Sequence, residues 1–443
     1  MPEGVCIAFS DSTLEPSPSW TNIDGAVGGW SIDRGRSKEL DKNQTGTASV
    51  DILDKLGVLD PTNGGSPYAD NIDPMKQGMI GLRNPVSNAV STIYRGFADW
   101  EYEIASDTGY KVLKGNINMD DAFDLLASLE MTPGNYFGKK TTNPIGPTQL
   151  LRQYAGDIQY AELQQMYERI NQALLNAGWP TSMKEIFTGN IHLQVTTYAR
   201  RDQLITVILD AADAEFPGVA NVYMSKEGKV TAHGRYARFD PFNPQYHIQQ
   251  WYAGDVAACQ SSSQYAPINR INFRRSKQDI INVALALPKG VLDHQAPGNI
   301  IIDEDSVGTF GWRSVAFEDL LTFDGIQPGD NATAVEETKL YGQYFVDNYA
   351  QPKTRITQLT FRPKSTEDSL NPAALWALMC DVEIGDVITV KTTHPGGGGF
   401  GNEDFFVEGI HYQAKPMKTN MLDVTLTLDV SPRAFYVLSP FYN

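Results

Sequence analysis

Cysteine is scarce: the 443-residue chain has three, Cys6, Cys259 and Cys380, far apart and none in a Cys-x-x-Cys. An odd count without paired spacing excludes a disulfide framework and a thiolate zinc site, and suits synthesis in a reducing cytoplasm. Long apolar runs are missing as well. Nothing approaches the roughly eighteen consecutive apolar residues of a membrane span, so no membrane insertion is expected. The opening "MPEGVCIAFSDSTLEPSPSW" has no basic region followed by an apolar core, so it does not read as a secretory signal. Basic residues are outnumbered, 36 Lys and Arg against 53 Asp and Glu, giving a net charge of −17. Binding nucleic acid by neutralising phosphates needs clustered Lys and Arg, which this balance argues against. The acidity aids solubility and would suit a surface that must not stick to DNA.

What is present is the composition of a soluble globular protein, 41% hydrophobic and 20% charged, with 38 Gly and 25 Pro spread along the chain. That many turn formers predict much β structure, and the length predicts roughly two to four domains. Five of residues 35–42 are charged, and this lead-in runs into a two-residue alternation in which Ala48, Val50 and Ile52 interleave with Thr47, Ser49 and Asp51. The alternation predicts a half-buried strand, ended by the turn-rich "LDPTNGGSPY" at 59–68. Further strands are expected within 84–104 and 109–117, so 1–117 reads as a small all-β unit, a barrel or sandwich. From Asn118 the period becomes helical. Asn118 is a candidate cap for a helix to 130, and 148–179 continues in helical rhythm to Gly178 and Pro180.

Residues 118–190 therefore form a helical insert. A mixed middle domain follows over 191–352: a strand at 191–199, a helix at 202–217, a hairpin turning at 226–228, a strand pair within 268–288 and a helix within 334–352. Residues 353–443 return to strands, at 355–364, 385–393, 404–416 and 422–432, with a helix at 371–382. The fold class is mainly β with α (α+β), in several domains.

Chemical motifs are weak. "GGGGFG" places Gly396, Gly398 and Gly401 in the G-x-G-x-x-G spacing, but a dinucleotide loop must open a helix and here "NEDFFVEGI" has strand character. The loop reads as a hairpin tip. The six histidines, His192, His233, His247, His294, His394 and His411, form no H-E-x-x-H and no close pair. Asp41, Asn43, Thr45 and Gly46 start like a calcium loop, yet the twelfth position would be Ile52 instead of Glu. Asp303, Glu304 and Asp305 could serve as acid–base carboxylates, but three in a row mark a solvated turn more often. Ser261–Ser263 lack the flanking glycines of a nucleophile elbow. Trp251 and Tyr252 could face a glycan, although such aromatics are more often core. No catalytic, cofactor-binding or metal residue is assigned, and no cofactor is expected.

"WSIDRGRSKELDKNQTGTASVDILDKLGVLDPTN" (30–63) resembles a signature of the minor tail proteins of actinobacterial tailed phages. Arg34, Gly35, Arg36, Ser37, Glu39, Leu40, Asp41, Gly46, Thr47, Ala48, Val50, Asp60 and Pro61 carry the likeness, while "DKLGVLD" departs from the family's usual turn. Later segments agree in order: "PVSNAVSTIYRGFADWEYE", "GRYARFDP", "RINFRRSKQDIINVALALPKG", "EDSVGTFGWRS", "DNYAQPKTRITQLTFRPK" and the final "IGDVITVKTTHPGG" to "DVTLTLDVSP".

The resemblance implies a structural tail-tip protein related to the baseplate hub, not an enzyme. Two similar small β-barrels per chain would let a homotrimer form a pseudo-sixfold ring that continues the tail tube, with genome DNA passing through its lumen. The charged lead-in would then lie at a solvated rim or subunit contact. Partners would be the distal tail ring and tape measure proteins, and the place the virion tail tip, after synthesis in the host cytoplasm. The alternatives are a hexameric distal-tail ring protein, a tail-tip cell-wall hydrolase and a receptor-binding component.

Overall fold

The computed structural model describes residues 3–38, 40–69, 71–107, 110–130, 136–137, 164–189, 191–194, 196–198, 201–323, 331–363, 370–416 and 422–436. The alternating stretch forms the strand Gln44–Asp54, with Ala48, Val50 and Ile52 buried. The residues ahead of the charged lead-in carry a strand beyond those expected. "VGGWSIDRG" is itself a strand, Val27–Gly35, antiparallel to 44–54, and Trp30, Ile32 and Arg34 share its buried side. A buried arginine at an inward position hides the period of two that an apolar residue would have shown. Gly35 ends the strand at φ +91°, where a Cβ would stand 2.3 Å from the Glu408 carbonyl oxygen. Only glycine fits there.

The two strand-rich ends share one fourteen-stranded sheet, which also takes three strands from within 191–352 and contains the same pattern twice. In chain order the first run is Gly4–Ile7, Thr21–Asn22, Val27–Gly35, Gln44–Asp54, Lys76–Arg83, Val90–Asp107 and Tyr110–Asp120. The second is Gln250–Gly254, Ala266–Pro267, Arg270–Arg274, Arg355–Phe361, Val387–Thr393, Gly399–Pro416 and Leu422–Pro432. In both, the lateral order is second, first, fifth, sixth, seventh, fourth, third. In both, an 18-residue sixth strand is followed by an 11-residue seventh. The runs differ at the first strand, which pairs antiparallel with the fifth in one (4–7 with 76–83) and parallel in the other (250–254 with 387–393). Among the described residues the path of paired strands stays open in each run, so closed barrels are not seen.

The two runs join where 27–35 lies antiparallel along 409–414, the outer half of the long strand 399–416. Strand 387–393 covers only 399–406 on that side. One continuous core follows, from Ile32, Val50, Ile80 and Ile117 to Leu359, Ile410, Leu426 and Leu428. Across the junction His411 reaches both ways: Nδ1 meets Asp33 Oδ1, and Nε2 lies 2.7 Å from Asp429 Oδ2.

Two further bodies flank the sheet. Helices Met166–Asn176 and Leu204–Glu215 pack with Ala122–Ser128 and the hairpin 221–224/230–233 around Ile170, Leu174, Val207 and Ile208. Gln165 and Glu168 form a capping box on the first of these, and Gly178 follows it at φ +72°. The rest of the expected 148–179 helix, 148–163, lies outside the described residues. The helix after the first strand run starts at Asp121, not Asn118: Asp121 accepts from Phe123 N at 2.9 Å, while Asn118 is still in a strand. The expected strand pair within 268–288 separates. Strand 270–274 joins the large sheet, whereas Val283–Pro288 centres a small sheet with 300–302 and 314–320 under helix Asn331–Tyr349.

Two outcomes follow. Gly35→Ala is expected to lower stability in urea unfolding by about 2 kcal/mol or more, since strain and a backbone clash coincide. For His411, burial pulls the pKa down, but the bonds to Asp33 and Asp429 outweigh it and raise the value from 6.5 to about 9. A folded value above the ordinary one means that this contribution is complete below pH 6.5 and is lost as pH rises through about 9. The urea midpoint should fall across that window, and His411→Gln should flatten the fall.

Candidate functional site

Of the charged lead-in, Arg36 turns inward and ends on a buried carboxylate, while Asp41 and Lys42 stay exposed. A bulge at Val407/Gly409 leaves Glu408 out of the strand ladder, and its side chain is almost wholly buried. Arg36 Nε donates to Oε2 at 2.8 Å, and Arg238 donates to both oxygens at 2.8 and 2.9 Å. Ser431 Oγ donates to Oε1 as well. Arg36 also reaches the carbonyls of Asp41 and Gly218, while Arg238 lies over the Phe406 ring at 4.5 Å. Burial alone would raise the Glu408 pKa, but Arg238 and Arg36 overturn this and hold it at about 2. One carboxylate thus ties the first strand run, the middle region and the second run together.

Arg34 makes a second tie, donating to the Met224 carbonyl at 2.8 Å and to Glu383 Oε1 at 2.6 Å. Lys226 N donates to Glu383 Oε2, and its ammonium caps the carbonyls of Cys380 and Asp381. Beside these lies a cavity of about 280 Å³, lined among others by Glu185, Phe187, His233, His247, Glu383 and Asp386. Burial pushes Asp386 up to about 7, although Trp251 Nε1, Gln249 N and Glu383 N all donate to it. Burial lowers His233 to about 3 and keeps it neutral. Glu185 lies 2.8 Å from His247 Nδ1. Each of Glu185, Glu383 and Asp386 thus holds a hydrogen-bond or ion-pair partner within the chain.

The fold scatters most of the sequence candidates. Gly396 and Gly398 sit in open space at the tip between strands 387–393 and 399–416, and a strand follows them, so no helix N-terminus faces a phosphate. Asp303 caps the helix Glu304–Phe310, accepting from Ser306 N at 2.8 Å, with Glu304 and Asp305 exposed in its first turn. Ser261 ends a short helix and donates to the Ala258 carbonyl. Asn43 ties its loop to Val222 O at 2.7 Å, and Gly46 N donates to Asp121. Trp251 is half-buried against Asp386, and Tyr252 packs edge-on to Tyr265. The three cysteines are buried and free. His233 and His247, 14 residues apart in the chain, line the same cavity, each ring against Phe187. Among the described residues no group of three or more His, Cys, Asp or Glu could hold a metal, and no helix is long and apolar enough to cross a membrane. Sequence reasoning met Arg34, Arg36 and Arg238 only as motif residues, without a buried role, and missed Glu408; the arginines directly after a strand-like "WSID" were the available signal.

Glu408→Gln should lower stability by about 3 kcal/mol or more in urea unfolding, because two buried guanidinium groups lose their counter-charge. The triple variant Arg36→Met, Glu408→Leu, Arg238→Met should cost less than that single change.

No protein-family model matches the chain, and no curated protein matches it. Solved structures do. A tail protein from Neisseria meningitidis MC58 aligns with a TM-score of 0.52 at 11% identity, over 96% of this chain and 96% of its own. The 43 kDa tail protein of prophage MuSo2 from Shewanella oneidensis aligns with a TM-score of 0.52 at 9% identity, over 98% of each chain. At such identities the likeness is one of fold, and it runs from end to end.

Proposed function

We propose that this chain is a structural subunit of a long-tailed phage's tail tip, the hub ring that continues the tail tube. The observation that carries the reading is the end-to-end fold likeness to two tail proteins, over 96% and 98% of the chain. The doubled strand pattern supports it further. Three copies would supply six like strand units around one axis, the arrangement needed to continue a tube of sixfold symmetry. The motif series from residue 30 to 432 supports a minor tail protein of the actinobacterial-phage type within that class.

In this role the protein works by shape and charge, without catalysis. Genome DNA passes through the lumen without sequence-specific contact, and a net charge of −17 favours sliding over sticking. The neighbours along the axis are the distal tail ring and tape measure proteins, with no membrane insertion. The protein is made in the host cytoplasm and resides in the virion.

Averaged electron microscopy of intact tails tests this. Three copies around the tube axis are expected, with both strand units facing the lumen. Six copies would move the assignment to a distal-tail ring, and a single copy off the axis would move it to receptor binding.

A further inference from the structure

Within the chain, the third strand of the first run lies along the outer half of the sixth strand of the second run, at 409–414. The equivalent elements of the opposite pair are both unfilled. Strand 76–83 covers 90–98 of the long strand 90–107, and among the described residues no strand lies on that side of 99–104. Strand 270–274 pairs with 355–361 on one side, and among the described residues no strand lies on its other side. Two open edges in one subunit are templates for pairing.

Their charges are opposite. The open stretch "DWEYEI" (99–104) exposes Asp99, Glu101 and Glu103, while "RINFRR" (270–275) exposes Arg270 and Arg275. Each also shows an apolar side chain to solvent, Ile104 at 66% and Phe273 at 43% exposure. The internal junction has the same character, with Asp33 of one strand against His411 of the other. Opposite charges directly across paired strands are favourable, and like charges are not.

We infer that strand 270–274 of one copy pairs antiparallel with 99–104 of the next copy, repeating between chains the junction that 27–35 and 409–414 make within one. The contact is head-to-tail, so successive copies close into a ring in which internal and intermolecular junctions alternate. This inference rests on the proposed assembly of copies around the tail axis but goes further, in naming the strands that meet.

The test uses full-length chain assembled in tails. Glu101→Cys and Asn272→Cys in one chain, treated with a short thiol cross-linker, should give a ladder of linked chains that ends at the closed ring. The native cysteines are buried and should stay silent. Glu101→Lys with Glu103→Lys should weaken association at least about tenfold, and adding Arg270→Glu with Arg275→Glu to the same chain should restore it. Copies adjacent around the axis that neither cross-link nor respond to charge reversal would overturn the pairing and leave the hub reading intact. A single copy per tail would overturn both.

Discussion

Glu408 is the residue on which the arrangement of the three regions depends. A lone buried carboxylate in such a place would protonate, and two lone buried arginines would be more costly still. Together they satisfy one another, but only if strand 27–35, the short helix at 236–239 and strand 399–416 meet in one geometry. The interaction therefore acts less as a source of net stability than as a constraint on register. Gly35, pressed against the Glu408 carbonyl, enforces the same register sterically.

That constraint gives the doubled strand pattern its asymmetry. Two runs with the same lateral order could sit side by side in several ways. The buried ion cluster, the Arg34–Glu383 pair and the His411 bridge select the pairing of 27–35 with 409–414. Filling one such junction inside the chain leaves its counterpart open: among the described residues no strand lies on the second side of 99–104 or of 270–274. The cavity near His233 belongs to the same seam. Of its carboxylates, Glu383 ties the regions together, through Arg34 and Lys226.

Much of the secondary structure was legible. Helix 204–215 and the strand 44–54 present one-sided apolar periods, and one-sided burial is what such periods report, while hairpin 221–233 showed through its turn although both its strands are buried throughout. Strand 27–35 was hidden because Arg34 occupies an inward position that sequence patterning reserves for apolar residues. The strands 270–274 and 283–288 looked like a pair because they are close in the chain. Their partners lie elsewhere, at 355–361 and at 300–302 with 314–320, and β propensity carries no address. Asp121 took the cap expected of Asn118 because the strand before it runs on to Asp120, held by its neighbours on both sides.

By itself the sequence determined the mainly β character with helices between, the acidity, the lack of a disulfide framework or a long apolar run, and the turns that punctuate the strands. These are local or additive properties, set by residue types and their spacing. Only the tertiary structure decided that the two ends share one sheet, that the lead-in arginines are buried and that Glu408 meets Arg36 from 372 positions away. Such pairings depend on which surfaces the fold brings out of water together, and a charged side chain carries no mark in the sequence of whether its partner will be solvent or another charge.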